Sequence, residues 1–322
     1  MFYKKKLKQN GINIVIMMRI ACMKMKEDAE TGESHDENQY INLIKQIDEY
    51  GEMIEGRNGM VKAVIGGVMH FDLRDNIIPI LTTKRVAWKS CLKELLWFIS
   101  GKTDNKILKE QKVKIWNENG SRDFLDSRGL SSLKEDDLGP VYGHQWRHFN
   151  AKYSDCNEDY TGKGVDQLEY IIKCLKDPNE RHSRRIVMSA WNPGQLDEMA
   201  LPPCHVLAQF NVVDNKLYCS LYQRSGDIGL GVPFNIASYS FLTHLLAKHC
   251  DLETGEFLYH LGNCHIYDDH LESLKGQVER TPYKLPKVFV KNKYEKIEDY
   301  RLDDFEILDY RYHETINMKM RK

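Results

Sequence analysis

Residues 205–213, "HVLAQFNVV", and 216–225, "KLYCSLYQRS", stand apart by only Asp214-Asn215. Both runs carry the β-branched and aromatic residues that suit strands, and the Asp-Asn pair between them reads as a hairpin-like turn. "RRIVMSAW" (184–191) has the same character and predicts a third strand nearby. Two apolar patterns flank this group. "GVDQLEYIIKCLKDP" (164–178) is amphipathic and stops before Pro178, and "NIASYSFLTHLLAKHC" (235–250) is apolar on most sides, which predicts a buried helix.

Working outward, "YINLIKQIDEYGEMI" spaces Ile41, Ile44, Ile47 and Met53 near a helical period, with order beginning at Tyr40. "KAVIGGVMHFDL" (62–73) reads as a strand bent at Gly66-Gly67, and "AWKSCLKELLWFISG" (87–101) as a helix closed by Gly101. The polar stretch 122–140 reads as a surface loop with a short helical turn. "KVFVKN" (287–292) and "FEILDYRY" (305–312) read as late strands. Helices and strands mix without a βαβ rhythm or a repeat. The expectation is a flexible extension over residues 1–38 and one α+β domain over 39–322.

Composition bounds the function. Of 322 residues, 42% are hydrophobic, enough for a large core, and the formal net charge of −1 supplies no general field for nucleic acid or anionic membrane. Nucleic-acid binding is therefore not expected, and any anion must be held by local arginines. The eight cysteines include no C-x-x-C pair, which reads as reduced, intracellular thiols. No run approaches the ~18 apolar residues of a membrane span. The basic, briefly apolar start of the chain loosely mimics a signal peptide, but Arg19 interrupts it.

Several residue types invite chemistry. Cys204, in "LPPCHVLAQF" (201–210), has three readings: a buried core thiol, a metal ligand or a nucleophile. Pro202-Pro203 favours a rigid presentation. His205 is not its base by adjacency, since neighbours on a strand point to opposite faces. Arg184, Arg185 and Arg224 have the guanidinium fork that suits phosphate, and "RSGDIGLGVPFN" (224–235) is a backbone-exposing loop without a nucleotide-cofactor fingerprint. "HLGNCHIYDDH" (260–270) is rich in metal-ligand types but lacks a metal framework, so no metal is expected. Glu94, in an apolar helix beside Trp97 and Phe98, would have its pKa raised by desolvation if it faced a cleft.

Taken together, "LTTKR" (81–85), "ELLWFISGKT" (94–103), "DLGPVYGHQWRHF" (137–149), "SRRI" (183–186), "ALPPCH" (200–205), "LYQRSGDIGLGVPFNIASY" (221–239) and "HIYDDH" (265–270) resemble the thymidylate synthase family in order and spacing. "NENGSRDFLDSRGLSS" (117–132) further resembles an insertion of eukaryotic members, and the length suits the monofunctional form. The resemblance implies a twisted mixed β-sheet flanked by helices, with a sheet face forming a homodimer interface. It implies reductive methylation of dUMP to dTMP, with 5,10-methylenetetrahydrofolate giving the one-carbon unit and the hydride and leaving as dihydrofolate. A cytoplasmic setting, with or without a nuclear pool, goes with that chemistry.

By position, Cys204 would be the nucleophile that adds to C6 of uracil, with Arg224 as its activating charge. Arg57, Arg184, Arg185, Arg224 and Ser225 would hold phosphate, the Arg184-Arg185 pair being donated from the partner of an obligate homodimer. Asn235, with Gln223 in the same substrate set, would read the base, and His265 and Tyr267 would bond the deoxyribose hydroxyl. Glu94, Tyr142 and His205 would organise water and proton transfer. Asp227 would bond the pterin; Ile115, Trp116, Leu230, Gly231 and Phe234 would wall the folate pocket; Lys84 would suit a glutamyl tail.

The chain departs from the family pattern at "RNGMV" (57–61), at the longer link "PNERHSRR" (178–185), at Ala87, at Asn263 and at the closing "MKMRK". A charged end resists burial, which predicts weaker closure of the site. Loose closure would admit water and give a hydroxymethyl product. A hydroxymethylase is therefore the second reading, and an inactive nucleotide- or RNA-binding relative the third.

Overall fold

A computed structural model describes residues 35–321. The expectations for residues 1–34, including the apolar patch 12–18, lie outside the described residues.

The centre is a six-stranded mixed sheet in the order β1-β2-β6-β5-β4-β3. These strands are β1 (Glu52–Gly56), β2 (Gly59–Asp72), β3 (Val187–Ser189), β4 (His205–Val213), β5 (Lys216–Asp227) and β6 (Glu253–Tyr267). A separate hairpin pairs β7 (Lys287–Val290) with β8 (Phe305–Leu308). The β4–β5 hairpin forms as its sequence predicts. Asp214 and Asn215 take φ of 48° and 60°, left-handed values that these two residue types tolerate and that match the twist of the flanking strands.

β5 and β6 run parallel, so they need a crossover, and the helix Gly231–His249 supplies it. Fifteen of its side chains are buried, in agreement with its apolar sequence. Along β5, Leu217, Cys219, Leu221 and Gln223 face this helix, while Tyr218, Ser220 and Tyr222 face the opposite side. Trp88–Ile99 packs on the buried helix. Gly101, at φ +73°, ends that segment as expected.

Three expectations need correction, and the stretch 260–270 gains an element. Met53 belongs to β1, an exposed edge strand, rather than to the first helix, which ends at Tyr50. The stretch 260–270, read only for its metal-ligand types, mostly continues β6, and among the described residues no such group is arranged to hold a metal. The polar segment 122–140 is not a free loop: Leu125, Leu130, Leu138, Asp136 and Asp137 are buried. Asn105 Nδ2 and Lys109 Nζ hold Asp136 at 2.8 and 2.7 Å. Order begins before Tyr40, because Glu37 is buried and accepts from the amides and hydroxyls of Thr82 and Thr83 at 2.6–2.8 Å. Among the described residues no helix is long and apolar enough to cross a membrane.

Candidate active site

Cys204 immediately precedes β4, and three groups fix its backbone. Tyr142 Oη accepts from the amides of Cys204 (2.7 Å) and His205 (3.3 Å). The Arg224 amide donates to the Cys204 carbonyl at 3.0 Å. The Arg224 guanidinium donates to the carbonyls of Pro203 and Pro202, both at 2.9 Å, and lies over Trp191. The two prolines leave their carbonyls turned toward Arg224, so the rigid presentation expected of them is built jointly with β5.

A bulge follows at once. His205 pairs with Gln223 and Leu207 with Tyr222, so Val206 is the extra residue. The bulge shifts the alternation of β4. His205 is buried on the same face as Ala208 and Phe210, under the cavity and against Tyr142 and Tyr239.

The thiol lines a cavity of about 580 Å³ shared with Arg57, Arg224, Ser225, Asp227, His265 and Tyr267. Burial raises the Cys204 thiol above its ordinary range, while the charges of Arg224 and Arg57 pull it down. The β1–β2 turn brings Arg57 there: Gly56 pairs with Gly59, leaving Arg57 and Asn58 as the two turn residues. Asp227 ends β5 opposite His265 of β6 and accepts from the Gly229 amide at 2.9 Å. Asn263, at another departure from the family pattern, turns its Oδ1 to His265 Nδ1 at 2.8 Å.

Beneath the cavity runs a relay of neutral groups. Tyr259 Oη donates to Gln223 Oε1 at 2.6 Å. Gln223 Nε2 donates to Asn235 Oδ1 at 3.0 Å, and Asn235 Nδ2 donates to His205 Nε2 at 2.7 Å. Each link fixes the next. An Nδ2 group only donates, so His205 Nε2 must accept and the ring proton sits on Nδ1. That Nδ1 is buried without a partner in the described structure. Burial pushes the ring down to about 4, so it is neutral at physiological pH.

Glu94 stands in the adjoining layer. Trp116 Nε1 donates to its Oε1 at 2.6 Å, and desolvation pushes its carboxyl up to about 7. The sequence expectation of a raised pKa holds, with Trp116 as the direct partner. Ile115 and Phe234 are half-buried against the core, and Leu230 and Gly231 open the crossover helix beside Asp227 and Asn235.

One assignment needs correction. Lys84 is buried under the 227–231 turn, where its Nζ donates to the Gly229 carbonyl, and burial pushes its ammonium down to about 7. So placed, it presents no exposed cation to a glutamyl tail. Arg184 and Arg185 are exposed ahead of β3 and do not line the cavity of their own chain.

Sequence reasoning missed Tyr259, Asn119 and Arg128, the last two on the cavity wall. The alternation "FLYHL" (257–261) carried a signal for Tyr259, as an inward position of a strand. Nothing local marked Asn119 or Arg128. Arg321 lies at the cavity wall, where Asp268 and Asp269 neutralise it.

The fold and the site define an α+β protein in which the Cys204 thiol shares a cavity with Arg57 and Arg224. The sequence model described as thymidylate synthase matches residues 38–322. The chain is 52% identical over 297 residues to the human thymidylate synthase, covering 92% of this chain and 94% of that one. It is 49% identical over 300 residues to the enzyme of Saccharomyces cerevisiae, covering 90% and 98%. It is 49% identical over 313 residues to the bifunctional dihydrofolate reductase-thymidylate synthase of Paramecium tetraurelia, covering 97% of this chain and 67% of the relative. The chain belongs to the thymidylate synthase family.

Proposed function

We propose that the protein converts dUMP to dTMP, with 5,10-methylenetetrahydrofolate as the second substrate, through a covalent bond between Cys204 Sγ and C6 of uracil. The observation that carries this reading is the relay from Tyr259 to His205 beneath Cys204. It holds the Asn235 amide in one orientation, with Nδ2 as donor and Oδ1 as acceptor. Uracil offers O4 to accept and N3–H to donate; cytosine reverses both, so the fixed amide rejects it.

Arg57, Arg224 and Ser225 bind the phosphate, and His265 and Tyr267 the deoxyribose hydroxyl. The Arg224 and Arg57 charges favour the Cys204 thiolate against its burial. Glu94, near-neutral in its pKa, exchanges a proton with the pyrimidine through water ordered by Tyr142 and His205. The folate supplies the one-carbon unit and the hydride. Trp116, Ile115, Leu230, Gly231 and Phe234 give it an apolar wall, and Asp227 a polar anchor.

The working unit is a homodimer. The outward face of the sheet carries exposed Val68, Leu207, Tyr222 and Ile65, an apolar surface that suits a second copy. Arg184 and Arg185 then reach the partner's phosphate site. A cytoplasmic setting, with or without a nuclear pool, suits the seven described cysteines, all unpaired.

The test is incubation with 5-fluoro-dUMP and methylenetetrahydrofolate. Fluorine at C5 does not leave as a proton does, so a covalent ternary adduct accumulates on wild type and not on Cys204→Ser. A folded protein that forms no adduct overturns the reading. Product mass decides between this reading and a hydroxymethylase, whose main product would be hydroxymethyl-dUMP. The pairing of Arg321 with Asp268 and Asp269 at the cavity wall supports the first reading.

A further inference from the structure

Three stretches without an assigned role meet at one edge of the cavity. They are Asn58-Gly59 in the β1–β2 turn, Asp268-Asp269 after β6, and residues 318–321. Arg321 joins them. Its Nη2 lies 3.0 Å from Oδ1 of Asp268 and 3.0 Å from Oδ1 of Asp269, and its Nε donates to Asp269 at 3.3 Å. Its guanidinium carbon lies 5.8 Å from the centre of the Tyr267 ring. Its Nη1 stands 3.5 Å from where a Cβ on Gly59 would be. Asn58 of that turn lines the same cavity as Tyr267 and Arg321, so all three meet at one wall.

The approach of the segment is fixed as well. His270 Nε2 donates to the Lys319 carbonyl at 2.8 Å, and Met318 packs against the core. A Cβ on Gly229 would lie 3.2 Å from Met318 Sδ and 2.9 Å from His270 Nδ1, so only glycine permits this close passage. Two adjacent carboxylates repel one another, and one guanidinium forked across both relieves that repulsion. An isolated exposed pair is worth little, but this fork also stacks on an aromatic ring and keeps only 30% of its side chain exposed.

We propose that Arg321 is a positioning residue. It clamps the turn that carries Arg57 to the strand end that carries Tyr267, so the nucleotide half of the site is set before ligand arrives. The ligand's identity rests on the function proposed above; the clamp does not.

The test uses the full chain in three variants: Arg321→Ala, Arg321→Lys, and Asp268→Asn with Asp269→Asn. Binding of dUMP alone is measured by equilibrium dialysis, and amide hydrogen exchange without ligand. Arg321→Ala is expected to weaken dUMP binding about five-fold, the loss of roughly one good ion-pair contact. Amides at 56–60 and 315–320 should exchange faster while those of β4 and β5 stay unchanged, which separates the clamp from general destabilisation. The Asp double variant should match Arg321→Ala. Arg321→Lys should recover part of the affinity, because a point charge bridges two carboxylates less well than a fork. Raising salt to about 0.5 M should narrow the gap between wild type and Arg321→Ala. Affinity within two-fold of wild type, or unchanged exchange at 56–60, overturns the proposal. If wild type binds no dUMP, the proposed function fails, and the ligand-free exchange still decides the clamp.

Discussion

Asn235 Nδ2 stands 2.7 Å from His205 Nε2, and this contact settles which way the asparagine amide faces. Only a ring with its proton on Nδ1 can accept there, and burial keeps that ring neutral. Asn235→Asp places an acceptor where the donor was. The ring must then take up a proton or turn away, and the site loses its discrimination at uracil O4. Turnover of dUMP is expected to fall by roughly 10–100-fold, with rejection of dCMP relaxed, since a polar site discriminates through the pairing of its buried groups. Competition between dUMP and dCMP, scored by product mass, measures it; unchanged selectivity contradicts the role given to Asn235.

Arg224 serves both the thiol and the backbone around it. Its Nε and Nη2 hold the Pro203 and Pro202 carbonyls, and its charge opposes the burial that raises Cys204. Arg224→Met removes a positive charge, so the thiol pKa should rise further. The rate of alkylation by iodoacetamide against pH should shift to higher pH by about one unit. Arg224→Lys should shift it less. A profile that does not move shows that the charge is too screened to matter.

Glu94 gives a pH signature with a definite sign. Burial raises its carboxyl from the ordinary 4.5 to about 7, so the native state holds a proton that the unfolded chain releases. Stability from this group is complete below about 4.5 and is lost as pH climbs to about 7. Glu94→Gln keeps an acceptor for Trp116 and carries no charge. It should therefore be more stable than wild type at pH 8, by on the order of 3 kcal/mol, with the difference vanishing below pH ~5. Urea unfolding at several pH values measures this. In activity, the same substitution should remove a titration near neutrality from the kcat profile.

How much of this was legible in the sequence depended on whether the signal was local. The β4–β5 hairpin, the crossover helix and the Gly101 stop were readable because each is set by residues close in the chain. β1 was not, since its five exposed residues have no buried face to produce a period. β6 was half hidden: its alternation runs from Phe257 to Leu261 and breaks at Gly262-Asn263, beyond which Cys264 to Tyr267 are all buried. Cys204, Arg224 and Asn235 were found through motif resemblance, but the relay linking Asn235 to Tyr259 crosses 24 residues and a strand pairing. The pairing of Arg321 was not readable because its partners lie 52 and 53 residues upstream. Charge alone predicted an end that resists burial, and two aspartates distant in sequence give that charge partners at the cavity wall.

Glu37 illustrates the same non-local logic in stability. Its two carboxylate oxygens take four hydrogen bonds from Thr82 and Thr83, at 2.6–2.8 Å, in a buried setting. Thr83 also accepts from Gln277, so one carboxylate ties the chain before the first helix to the turn that leads into Lys84. Glu37→Gln turns one acceptor into a donor facing donors. A cost of about 2–4 kcal/mol is expected, larger than for a surface change. A denaturant midpoint within error of wild type would show that the network rearranges freely.

The homodimer proposal makes the sharpest demand on function. Arg184 and Arg185 are exposed and absent from the cavity of their own chain, whereas Cys204 lines it. If the pair acts across the sheet-to-sheet interface, a chain lacking the arginines and a chain lacking the thiol fail for different reasons in different sites. Arg184→Glu with Arg185→Glu should be nearly inactive, and so should Cys204→Ser. Mixed under conditions that allow subunits to exchange, they should recover activity. In each heterodimer one site keeps both its own Cys204 and the partner's arginines. Half of the chains pair as heterodimers at equal mixing, so about a quarter of all sites become competent by the symmetry of a two-fold interface. Tyr222→Glu on the outward sheet face should prevent recovery by blocking association, seen as monomer in sedimentation. No recovery in a mixture that does form heterodimers would mean that each chain uses its own arginines, and that the exposed pair has another task.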